Sequence, residues 1–70
     1  MAENIQTPDF EALYHRAFAE FGAIALWNVR EIDHPSPEEA LVITRSLRIE
    51  GDLRARSLAE EIERASRAAL

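Results

Sequence analysis

The sequence predicts an all-α fold: a small three-helix bundle with a short extra helical segment. Three observations predict it. Three stretches repeat apolar residues at helical spacing, and none alternates with the period of two that a half-buried strand requires. Two of those stretches open on a hydroxyl side chain followed by proline, the chemistry of a helix start. Apolar residues make up 47% of the 70 positions, enough for a folded core and too many for a disordered chain. The expected helices cover residues 8–21, 37–50 and 53–69, with a shorter helical piece over 23–28. They form a single domain over 7–70, preceded by a disordered arm over 1–6.

The first helix opens at Thr7-Pro8-Asp9: a capping hydroxyl, proline at the first helical position, and an acid in the first turn. Phe10, Leu13, Tyr14, Ala17, Phe18 and Phe21 follow on one side, within an arc of roughly 140°. Glu11, His15, Arg16 and Glu20 occupy the other. Gly22 then ends or bends the helix. The run Ala23 to Val29 is expected to add one or two helical turns. Its alternative, a strand, needs a partner for its backbone groups, which a second copy of the chain would have to supply.

Pro35 to Gly51 is a helix with both ends written out. The Ser36 hydroxyl is placed to accept from the Glu39 amide and the Glu39 carboxylate from the Ser36 amide, closing a capping box, with Pro37 at the first position. Gly51 suits a left-handed cap, with Arg45 and Arg48 near the last carbonyls. Ala40, Val42, Ile43, Leu47 and Ile49 spread over about half the circumference, so this helix is expected to be the central one, packed on two sides. The last helix begins at Asp52 or at Ser57, each a capping candidate. Its stripe is Leu58, Ile62, Ala65 and Ala69, widened by Ala55 and Ala59. Arg56–Glu60, Glu60–Arg64 and Glu63–Arg67 are spaced for ion pairs four residues apart.

The chemistry is sparse. Thirteen acidic residues against eight arginines give a net charge of −5, which opposes general attraction to nucleic acid or an anionic membrane. There is no cysteine, hence no disulfide or thiolate metal site. The two glycines are too far apart for a phosphate-binding loop, and no Gly-x-Ser-x-Gly occurs. Glu11 and His15, four apart on one helix, are half a metal site at most. No catalytic, cofactor-binding or metal-binding residues are therefore assigned, and no small-molecule ligand or membrane contact is implied. No apolar run is long enough to span a bilayer, and the N-terminal residues lack the order of a signal peptide. The cytoplasm is the expected compartment.

What remains is surface. A chain this short buries only about 60% of its unfolded area, while Ile24, Leu26, Trp27 and Val29 add apolar bulk beyond the three helical stripes. These four residues are the expected interface of a non-catalytic protein–protein interaction module. The small acidic protein is then a dimer or a subunit of a larger assembly, its partner itself or another protein. The alternative is a helix-turn-helix-like regulator contacting nucleic acid through Arg45, Arg48, Arg54 and Arg56 around the turn at Gly51. Against it, Glu60, Glu61 and Glu63 lie on the face that DNA would approach. For the capping box, Ser36→Ala is expected to cost about 0.5–2 kcal/mol, measured as a lower urea midpoint. An unchanged midpoint would mean the helix starts elsewhere.

Overall fold

The apolar spacing resolves into three α-helices. The computed structural model describes residues 9–70: α1 spans Asp9–Phe21, α2 Pro37–Glu50 and α3 Leu53–Ala69. Among the described residues there is no strand, so the architecture is a small all-α three-helix bundle. The arm over 1–6 and the Thr7–Pro8 helix start lie outside the described residues.

Both described helix starts follow from local chemistry. At α2, the Glu39 amide donates to the Ser36 hydroxyl at 3.1 Å and the Ser36 amide donates to the Glu39 carboxylate at 2.8 Å. The capping box is complete, with Pro37 at the first position. At α3 the cap is Asp52, whose carboxylate accepts from the Ala55 amide at 3.1 Å. Ser57 falls inside the helix. Asp52 prevails because its carboxylate reaches the free amides immediately after the turn, where they have no other partner.

Gly51 closes α2 differently from expectation. Its backbone is extended, with φ −95° and ψ 174°, a conformation open to any residue. Glycine is required there by space. A Cβ at this position would collide with the Ala55 Cβ and lie 2.7 Å from the Leu47 carbonyl oxygen. The two-residue turn Gly51-Asp52 thus brings α3 directly against the end of α2.

The core is built from Phe10, Tyr14, Ala17 and Phe21 of α1, Ala40, Ile43 and Leu47 of α2, and Ala55, Leu58, Ala59 and Ile62 of α3. Leu13 and Phe18 pack at its edge, so the aromatic stripe of α1 is core as expected. Each large apolar side chain removed from water contributes about 1.5–3 kcal/mol. Two expectations need correction. The helix packed most extensively on both neighbours is α3, and α1 and α2 touch each other least. In addition, α2 buries one stripe rather than half its circumference: Val42 and Ile49 are both 68% exposed, and Thr44 lies inside. Ala55, Ala59 and Ser66 are fully buried on α3, so the face of the helix in the middle is built in large part from small residues.

The stripe of α3 ends on Ser66 rather than Ala69, which is exposed. Ser66 is fully buried and its hydroxyl has no hydrogen-bond partner. An unsatisfied buried hydroxyl costs about 1–3 kcal/mol, and alanine also has the higher helix propensity. Ser66→Ala is therefore expected to raise stability, read as a higher denaturant midpoint with unchanged slope. A lower midpoint would show that the hydroxyl is bonded in solution.

Candidate functional site

The distinctive chemistry of the molecule lies in the connector between α1 and α2, residues 22–36. It begins at the end of α1, where the last carbonyls lack helical donors. The Phe21 carbonyl accepts from the amides of Ile24, Ala25 and Leu26 at 3.2, 2.8 and 3.3 Å. Gly22 makes this fold-back possible. A Cβ there would sit 2.5 Å from the Phe18 carbonyl oxygen. A second turn follows, closed by the Val29 amide on the Leu26 carbonyl at 3.1 Å.

Residues 23–28 thus form successive turns, not the expected helical piece, and not a strand. Gathering three donors on one carbonyl breaks the helical ladder and rotates each residue in a new direction. Ala25 and Leu26 enter the core, Leu26 with only 2% of its surface exposed. Ile24 and Trp27 point outward, at 60% and 70%. Of the four expected interface residues, Ile24 and Trp27 are available to a partner. Leu26 is not, because the turn carries it inside, and Val29 is half-buried against the core.

Further along, the connector is tied back to α1. The Ile32 amide donates to the Tyr14 hydroxyl at 2.9 Å. Burial raises the phenol's pKa above its ordinary value, while the Ile32 bond pulls it down. Beside it, His15 Nδ1 lies 2.6 Å from a Glu31 carboxylate oxygen and Nε2 lies 2.9 Å from the Asp33 carbonyl oxygen. Both partners are acceptors, so both ring nitrogens must donate: the geometry is that of an imidazolium. The hydrogen bond to Glu31 is the main cause that raises the histidine pKa, against a smaller opposing effect of desolvation. The stability this adds is complete below the ordinary histidine value and is lost as pH rises through the raised one. The Tyr14 ring meets the imidazole edge-on, with centroids 5.2 Å apart. A looser contact joins His34 Nδ1 to Glu11 at 3.8 Å.

A histidine with a carboxylate on Nδ1 has the outline of a general base and its orienting partner. Here the second nitrogen is occupied by the Asp33 carbonyl, so no lone pair is free to take a proton or bind a metal. Among the described residues no group of three histidine, cysteine or acidic side chains is placed to hold a metal ion. Sequence reasoning placed His15 on a polar helix face and missed Glu31 and Asp33 as its partners. The only signal was two acids in the connector opposite a histidine on α1, and their meeting depends on how the chain turns after Gly22.

The four arginines considered for nucleic acid do not form one free patch. Arg48 grips Glu63 through two bonds, Nε to Oε2 at 2.9 Å and Nη2 to Oε1 at 2.7 Å. That pairing holds the Glu63 carboxyl below its ordinary pKa. The Arg54 guanidinium lies over the Phe21 ring at 5.6 Å and reaches 3.6 Å from Glu20. Arg45 and Arg56 are exposed. None of the ion pairs expected four apart on α3 forms among the described residues; for Glu63–Arg67 the reason is that Glu63 turns to Arg48 instead. Between α1 and α3 an open groove of about 460 Å³ is lined by Ala12, Leu13, Glu61, Arg64, Ala65 and Ala68.

The class that these features define is a small three-helix bundle with a connector tied to its first helix. No protein-family model, curated protein or solved structure matches the chain. Removing the Tyr14 hydroxyl while keeping its ring isolates the backbone tie. Tyr14→Phe is expected to cost about 0.5–1.5 kcal/mol and to speed amide exchange at Ile32. Unchanged exchange there would mean that the tie contributes nothing.

Proposed function

We propose that the protein is a non-catalytic helical interaction module of the cytoplasm, which associates with a second copy of itself or as a subunit of a larger assembly through the turn bearing Ile24 and Trp27. One observation carries this reading: two large apolar side chains stand in solvent on a backbone that is itself fixed. The Phe21 carbonyl and the Val29–Leu26 bond hold the turn, and Leu26 anchors it in the core. A rigid turn presenting a tryptophan loses little conformational freedom on binding, and tryptophan is among the residues that most often dominate an interface. The exposed Val42, Ile49 and Leu53 add apolar surface on α2 and at the start of α3.

The reading of Arg45, Arg48, Arg54 and Arg56 as a nucleic-acid contact has less support. Arg48 and Arg54 are engaged by Glu63 and Glu20, and the chain is acidic. Sedimentation across micromolar concentrations tests the association. A dimer or larger species is expected, and Trp27→Ala is expected to weaken it by about tenfold or more, the loss of a central tryptophan contact being worth over 1 kcal/mol. A monomer throughout, unaltered by the substitution, would reject self-association through this turn.

A further inference from the structure

The connector is anchored at its ends and exposed in its middle. Ala25 and Leu26 are buried at one end and Pro35 at the other. Glu31, Ile32, Asp33 and His34 between them are all exposed. No core packing holds these four in place. Their ties to the bundle are the Ile32 amide on Tyr14, the Glu31 and Asp33 contacts of His15, and the long His34–Glu11 contact. Two of the four ties therefore depend on a single imidazole ring.

We propose that His15 is a proton-controlled latch: its imidazolium pins residues 31–34 onto α1, and loss of the ring proton loosens that segment, leaving the Ile32–Tyr14 bond as its main tie, while the three helices stay folded. The chemistry follows from the two acceptors. A neutral imidazole has one N–H and one lone pair. If Nε2 keeps the proton, the Nδ1 lone pair faces the Glu31 carboxylate across 2.6 Å. If Nδ1 keeps it, the Nε2 lone pair faces the Asp33 carbonyl across 2.9 Å. Either tautomer turns one tie into a repulsive contact. The surroundings strengthen the effect. From α1, Glu11 acts on the same ring and Tyr14 packs against it; from the connector come Glu31, the Asp33 carbonyl and, through Glu11, His34. Glu39 of α2 acts on the adjoining Tyr14. No arginine is among these groups. Without the imidazolium, the carboxylates of Glu11 and Glu31 lose the cation between them.

The latch is independent of what Trp27 meets. It is tested on the full chain by nuclear magnetic resonance, following the His15 ring nitrogens and the backbone amides of residues 31–34 from about pH 5 to pH 9, a range that brackets the titration of histidine side chains. The expected result is a ring protonated on both nitrogens at low pH, with a midpoint above the ordinary value of about 6.5. The amides of 31–34 should shift with that same midpoint while the helical circular dichroism is unaltered. Glu31→Gln, an exposed substitution, should lower the midpoint by about one unit or more. In a His34→Gln background, which removes the segment's own titrating ring, His15→Gln should abolish the pH response of the segment. A His15 midpoint at or below the ordinary value would overturn the proposal. So would a segment that ignores the titration, or one that keeps its response when both His15 and His34 are replaced by Gln.

Discussion

Close approach to α3 is the constraint on which the rest of this structure depends. A chain of 70 residues has too little volume for a thick core, so its helices meet at small side chains. Ala17, Ala40, Ala55 and Ala59 are all fully buried, one or more from each helix. Interiors packed to crystal density transmit such constraints to their neighbours. The turn between α2 and α3 is the sharpest example. With only Gly51 and Asp52 between the helices, the Ala55 methyl fills the space that a side chain at 51 would need. Asp52 must then act as the cap, since no other residue stands between the glycine and the first turn of α3.

Charge joins the helices across this packing. Arg48 and Glu63 join α2 to α3. Arg54, at the start of α3, lies over Phe21 and beside Glu20 at the end of α1. Exposed pairs of this kind are individually worth little, at most about 1 kcal/mol. Their geometric consequence is larger, because they occupy Arg48 and Arg54 on either side of the α2–α3 turn. The connector uses another arrangement: the histidine is on α1 and Glu31 on the connector, and the groups acting on the ring are Glu31, the Asp33 carbonyl and Glu11.

The helices were legible in the sequence because their apolar residues recur at helical spacing and the start of α2 carries its own chemistry. Ser36, Pro37 and Glu39 place the start of α2 without any knowledge of the fold, and Phe10, Tyr14, Ala17 and Phe21 place the buried side of α1. The middle of the bundle was not legible. On a wheel, Val42 and Ile49 look as buried as Ile43 and Leu47, and only the approach of α3 separates them. Residues 23–28 were misread for a related reason. Their apolar pattern fits a helix, but three amides converging on the Phe21 carbonyl is a tertiary solution with no periodic trace. The His15 clamp was invisible because it joins residues 16 and 18 positions apart across a turn whose path the sequence does not specify.

The turn that sends Leu26 inward and Trp27 outward also decides what the molecule reports about itself. Its single tryptophan is solvated in the folded chain and would be solvated in an unfolded one. Intrinsic emission of the monomer should therefore pass through the unfolding transition with little change, even though Tyr14 and the phenylalanines are released from the core. For the monomer a nearly flat emission trace would not indicate a molten or unfolded protein. The same fluorophore should instead respond when something covers the turn, which makes it a probe of contact rather than of folding.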